Sequence, residues 1–98
     1  MKKLIRQRFR ESIFTRDGYK CVFCEKDAVD AHHITDRNEM PNGGYVKENG
    51  ISLCHEHHKM AEKYHETGGK DWYEGFHPDD LYKKIGSSKE IAIQRSIL

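Results

Sequence analysis

Apolar material is scarce in this chain of 98 residues, of which 36% are hydrophobic and 34% charged. A domain of this length buries little surface, so its core must be thin and needs a staple, here a metal. No apolar run is long enough to span a bilayer, and the N-terminus lacks the apolar stretch of a secretory signal. The expectation is a soluble, cytoplasmic protein with no membrane partner. Cysteine is sparse as well, with three in all against seven histidines. An odd count argues against a disulfide framework and for thiolate–imidazole ligation in a reducing compartment. Repeats, low-complexity tracts and clear linkers are missing, so residues 1–98 read as one domain.

A strong net charge is also missing, at +1, and by itself that does not suggest a nucleic-acid binder. The distribution does. Residues 1–20 carry seven cationic side chains against Glu11 and Asp17, a net +5, which leaves −4 for the rest. Ile5, Phe9 and Ile13 recur every four residues and predict a helix over 4–16, with arginines on its other faces. Arg6, Arg8, Arg10 and Arg16 are the candidate phosphate contacts, which would position a nucleic acid without reading its sequence.

Asp17-Gly18 should end that helix and turn the chain into Cys21-Val22-Phe23-Cys24. Short strands are expected at Ala28–Ile34 and Asn49–Leu53, separated by a long polar loop containing Pro41-Asn42-Gly43-Gly44. A helix from Cys54 to about Thr67 follows, stopped by Gly68-Gly69. In residues 70–98, Trp72, Tyr73 and Phe76 offer core cover, and Pro78 opens a short helix carrying Leu81, Tyr82 and Ile85. Ser87 with Glu90 reads as a capping box for a last helix through Leu98. Ile91, Ile93, Ile97 and Leu98 would pack on the core or line an interface with a second copy.

Two metal-type patterns interleave. Zinc in structural sites takes four tetrahedral sulfur and nitrogen ligands. A Cys-x-x-Cys turn points two thiolates at one ion, and residues three apart share a helix face. Cys21, Cys24, Cys54 and His57 therefore form the candidate structural zinc site, with His55 pointing elsewhere. His57 and His58 are about 100° apart around the helix, so His58 is free for a different metal. His32 and His33 approach from the end of the first strand.

With Arg16-Asp17-Gly18-Tyr19-Lys20-Cys21, Asp30-Ala31-His32-His33-Ile34, Asn49-Gly50-Ile51-Ser52-Leu53-Cys54 and His58, the chain resembles the HNH endonuclease family over roughly residues 8–60. His57 stands where many members of that family have a fourth cysteine. The resemblance implies a small metal-stabilised α+β fold, with a ββα-metal core over about 17–68 and a treble-clef-like zinc site. A basic helix would precede that core, and a helical extension (70–98) would follow it. It implies DNA phosphodiester hydrolysis with His33 as general base and Asn49 orienting it. His32 and His58 would hold one catalytic divalent ion (magnesium, manganese, nickel or zinc). Glu62, four residues after His58 on the same helix face, could supply a third ligand, and Asp30 a ligand or a partner to one. Adjacent residues of a strand face opposite ways, so His32 and His33 can share a site only where the strand ends or twists. Free imidazole, with a pKa near 6.5, suits a base at neutral pH. Similar small proteins occur in phages and mobile elements. With no separate recognition domain, the expectation is low sequence specificity for the protein alone, or specificity supplied by a homodimer or a partner protein. The alternatives are a non-catalytic zinc-stabilised nucleic-acid-binding module and a zinc-built protein-interaction domain.

Overall fold

A computed structural model describes residues 2–97 of the chain. Its elements are α1 (Lys2–Arg16), β1 (Asp30–His33), β2 (Gly50–Leu53), α2 (His55–Glu66), α3 (Pro78–Lys84) and α4 (Lys89–Ile97). Three short 3-10 turns (Arg37–Glu39, Pro41–Gly44 and Lys47–Asn49) shape the segment between the strands. The described residues thus make a small α+β fold with four α-helices and one two-stranded antiparallel sheet. None of the described helices is long and apolar enough to cross a membrane.

Phe9, Ile13 and Phe14 are the residues that α1 buries, whereas Ile5 is 44% exposed. Ile5 lines a surface depression with Arg6 and Tyr45, so its expected contact with the core is not made. At its other end, Gly18 and Tyr19 both take left-handed φ, and the Tyr19 amide caps the Phe14 carbonyl at 2.8 Å. Arg16 then fastens the helix to the sheet. Its guanidinium donates two 2.8 Å hydrogen bonds to the Asp17 carboxylate and one each to the carbonyls of Lys47 and Gly50. Asp17 in turn accepts from the Ser52 amide at 3.0 Å.

The strands pair in the register Asp30↔Leu53, Ala31↔Ser52, His32↔Ile51 and His33↔Gly50. Gly50 lies against α1 so closely that a Cβ there would overlap the Ile13 side chain. That gap lets the helix settle on the sheet beside His33. The opposite face packs Ile34, Ile51 and Leu53 against Ala61 of α2, Leu81 and Tyr82 of α3 and Ala92 of α4.

The C-terminal elements depart from expectation in three details. Ser88, not Ser87, caps α4, its Oγ accepting from the Ile91 amide at 3.1 Å. Ser87 instead donates to the Glu48 carbonyl at 3.0 Å, tying this segment to the inter-strand loop. Phe76 is buried, but Trp72 and Tyr73 are 41% and 45% exposed, because they lie in an irregular stretch outside the helices. On α4, Ile93 packs against the core while Ile91 and Ile97 are exposed; Leu98 lies outside the described residues.

Candidate metal centres and the groove beside them

The Cys21 corner is built by backbone hydrogen bonds. The Cys21 amide donates to the Lys26 carbonyl at 2.7 Å, the Glu25 amide returns to the Cys21 carbonyl at 3.0 Å, and Glu25 takes a left-handed φ of 62°. The Val22 amide donates to the Ser52 carbonyl, so the corner is held against β2. Cys54 is the N-cap of α2 and His57 sits in the first turn. Cys21, Cys24, Cys54 and His57 accordingly bring their ligand atoms within 4.8 Å of one another, close enough to bind one metal ion. Zinc bonds of about 2.3 Å to sulfur and 2.0 Å to nitrogen make tetrahedral edges of roughly 3.5–3.8 Å. Cys24 Sγ and Cys54 Sγ are 3.7 Å apart, and Cys21 Sγ is 3.5 Å from His57 Nδ1. Cys54 Sγ to His57 Nδ1 is slightly shorter at 3.2 Å. The His57 ring is stacked on Phe23 and Phe76, which fixes its plane, and His55 is exposed as expected. All three thiols are free.

The second cluster comes from the next face of α2. His58, Glu62 and His65 stand at i, i+4 and i+7, so one stripe of the helix faces β1. Glu62 Oε1 lies 3.1 Å from His32 Nδ1 and 3.2 Å from His58 Nε2, and the three residues form a convergent donor set. His32 is 2% exposed, and the close contact to Glu62 is misaligned for N–H donation. Both its ring nitrogens therefore lack a hydrogen-bond partner. Orphaned buried nitrogens are costly unless something else meets them, and a cation between His32, His58 and Glu62 would do so.

The electrostatics suit ligation by His32 and Glu62, whereas His58 must give up a proton that its carboxylate neighbours favour. Burial pushes the His32 pKa down, which keeps the ring neutral as a ligand must be. The contacts of His32 and then His58 hold the Glu62 carboxyl well below the usual carboxylate range, so it is ionised. The contact to Glu62 raises the His58 pKa, and Asp30 adds to the rise. Two imidazoles and one carboxylate suit manganese, cobalt, nickel or zinc better than magnesium, which prefers all-oxygen surroundings.

His33 does not join that cluster. Strand alternation persists to the end of β1, so His32 turns toward α2 and His33 toward α1, where its ring stacks on Phe9 at 4.3 Å and meets the edge of Tyr45 at 5.0 Å. Burial, and then the proximity of His32, lower its pKa to about 4. The expectation of an ordinary imidazole near 6.5 is thereby corrected. His33 is neutral at physiological pH, with Nε2 buried and without a partner. An anion brought beside the ring would raise that pKa again.

Two depressions of about 530 and 360 Å³ share Arg6, Arg37 and Tyr45 in their walls, and the smaller one borders this ring. The smaller one also includes Arg10, Asp30 and His33. Asp30 borders both environments, since its Oδ2 is 3.2 Å from His58 Nδ1. The groove and the donor cluster thus meet at Asp30, the first residue of β1. Of the four arginines singled out in the sequence, Arg6 and Arg10 face this groove, although Arg10 also donates to the Val29 carbonyl at 3.0 Å. Arg8 and Arg16 lie on another side of α1, and Arg16 is engaged with internal partners.

Asn49 is fully buried between the strands and the loop. Its Nδ2 donates to the carbonyls of Thr35 (3.1 Å) and Gly44 (3.2 Å), and its Oδ1 accepts from the Thr35 amide (3.0 Å). Sequence reasoning missed His65, whose Nε2 lies 3.0 Å from the His33 carbonyl and, facing an acceptor, must carry the proton. The i+7 spacing from His58 was the available signal. Arg37 and Tyr45 were missed as well; they sit in the loop, and no periodicity marks them. No family model, curated protein or solved structure matches the chain.

Proposed function

We propose that this protein is a divalent-metal-dependent endonuclease of the HNH type, hydrolysing phosphodiester bonds in DNA. The observation that carries the reading is a pair of neighbours on one strand. His32 belongs to a His-His-Glu donor set, and the His33 ring borders an arginine-lined groove, neutral and with its Nε2 buried just behind that lining without a partner. The order β1, loop, β2, α2 supports a ββα-metal core. The Cys21–Cys24 corner with the first turn of α2 supports a treble-clef-like zinc site, for which three thiolates and one imidazole are suitable donors.

A divalent cation held by His32, His58 and Glu62 would supply Lewis-acid stabilisation of the charge that develops on the phosphate and leaving-group oxygens. The chain's own residues do the rest. Arg6 and Arg37 grip the DNA backbone on either side of His33. His33 accepts the proton of the attacking water once substrate binding opens its buried Nε2 to the groove, a role suited to an uncharged ring whose nitrogen has no other partner. The phosphate lies beside Asp30, where groove and donor cluster meet, since base and donor set occupy opposite faces of β1. The incoming anion raises the His33 pKa from its low resting value toward one suited to a base. Asn49 holds the exit of β1 through Thr35 and takes no part in the chemistry.

The test uses supercoiled plasmid and protein that retains zinc at its cysteine site, resupplied with magnesium, manganese, nickel or zinc. Open-circular or linear product that depends on the added ion, and is lost in His33→Ala at unchanged zinc content, is the expected result. Failure to cut with any ion would leave a zinc-stabilised nucleic-acid-binding module as the better reading.

A further inference from the structure

Tyr82 is a buried, titratable side chain that the mechanism above does not use, and it comes from the C-terminal helices rather than from the strands and α2. Its hydroxyl donates to Asn49 Oδ1 at 2.7 Å and lies 2.6 Å from Thr35 Oγ1. The direction of these bonds is fixed by counting protons. Asn49 Oδ1 can only accept, so the single Tyr82 proton points there and the Thr35 hydroxyl must donate to the Tyr82 oxygen. Burial raises the Tyr82 pKa, which keeps that proton in place.

From this network we infer that Tyr82 is a positioning residue for His33, acting through Asn49 and Thr35, and that α3 is thereby part of the catalytic apparatus. The inference rests on the nuclease reading. Asn49 is saturated only with Tyr82 present: Nδ2 serves two carbonyls, and Oδ1 accepts from the Thr35 amide and the Tyr82 hydroxyl. Thr35 is two residues beyond His33, and the intervening Ile34 amide donates to the Asn49 carbonyl at 2.9 Å. The exit of β1 is therefore held from one side by Asn49 and Tyr82 and from the other by His65 on the His33 carbonyl. All three residues of the triad are buried, so water cannot replace a bond that is removed. A phenyl ring at 82 would leave the Asn49 acceptor and the Thr35 donor short of a partner. The Asn49 amide could then turn, and the His33 backbone would lose its fixed direction. A displacement of even about 1 Å at a reacting group costs on the order of a hundredfold in rate.

The experiment compares Tyr82→Phe with the parent protein and with Leu81→Val. Leu81 neighbours Tyr82 on α3 and is 1% exposed, but it packs in the core and bonds nothing in the network. Four quantities are read at full zinc occupancy: exchange of the Asn49 side-chain amide protons by NMR, kcat and KM for plasmid nicking, and Tm. Expected for Tyr82→Phe are Asn49 protons exchanging about tenfold faster and kcat lowered about tenfold or more at nearly constant KM. Leu81→Val should lower Tm with neither change. Unaltered Asn49 exchange in Tyr82→Phe overturns the inference. Faster exchange with unchanged kcat makes Tyr82 merely structural and overturns it as well. If Tyr82→Phe does not hold zinc, Thr35→Val removes the upstream donor and must show the same two changes in smaller measure, or the inference fails. A parent protein inactive with every ion would instead sink the nuclease reading, while the exchange comparison would still decide whether Tyr82 holds Asn49.

Discussion

Asp30 Oδ2 stands 3.2 Å from His58 Nδ1, on the opposite side of the ring from the nitrogen that faces Glu62. A carboxylate behind a ligating imidazole fixes its tautomer and orientation and raises its basicity. Asp30→Ala should therefore weaken divalent-ion binding at the His32 cluster about tenfold to a hundredfold. Zinc at the cysteine site should be untouched. Competition titration with manganese or cobalt measures the first, and metal analysis the second. Unchanged affinity would mean that Asp30 serves the groove and not the ring.

Removal of metal from the cysteine cluster should unfold the chain. The hydrophobic core is thin, and the ends of the Cys21 corner and α2 are joined through these four side chains. Chelator treatment should abolish near-UV circular dichroism and cooperative unfolding, with both restored by zinc, and Cys54→Ser should behave as the chelated protein does. An identical unfolding curve with and without chelator would show that packing suffices.

The arginines should separate into two classes. Arg6→Ala and Arg37→Ala each remove a cation from the groove, so each should weaken DNA binding and lower the slope of log affinity against log salt by about 1. Arg8→Ala, on another side of α1, should leave that slope unchanged. Arg16→Ala deprives the Asp17 carboxylate and two carbonyls of their donor, and should cost about 1.5–3 kcal/mol of stability. Filter binding over a salt series and denaturant titration measure the two effects. Equal slopes for Arg6→Ala and Arg8→Ala would place DNA elsewhere on the protein.

Asp17 gives a pH prediction whose sign follows from its surroundings. Burial alone would raise its pKa, but the hydrogen bonds from Arg16 and Ser52 outweigh burial and hold the carboxyl below its ordinary value. A depressed carboxylate contributes stability that is complete above the unfolded value of about 3.9 and fades as pH falls through the folded one. The penalty of Asp17→Asn should thus be the same at about pH 5.5 and 7.5. Denaturant unfolding of zinc-loaded protein at the two pH values checks this. A penalty that halves at the lower pH would assign the effect to a histidine instead.

Spacing alone was enough to anticipate the cysteine cluster, since Cys-x-x-Cys and Cys-x-x-His each bring two ligands together within a single turn of chain. The helices and strands were legible for the same reason, because apolar periodicity and glycine stops are local signals. Their ends shifted by a few residues, and the cap of α4 moved from Ser87 to Ser88, because hydrogen bonding to Glu48 claims Ser87. Glu62 was legible only as an option, because helix geometry puts it beside His58 without saying what lies opposite.

Tertiary structure decided what depends on contacts between distant segments. The register His33↔Gly50 turns the two adjacent histidines to opposite faces and seats His33 on Phe9, which lowers its pKa. Arg16 became an internal fastener, Arg37 and Tyr45 came to line the groove, and Tyr82 reached Asn49 across 33 positions of sequence. The sequence by itself determined which side chains could bind metal, because ligand chemistry and one-turn geometry are local. The environment of each one (its burial, its partners and hence its charge) was decided only when the loop, α1 and α3 closed around the strands.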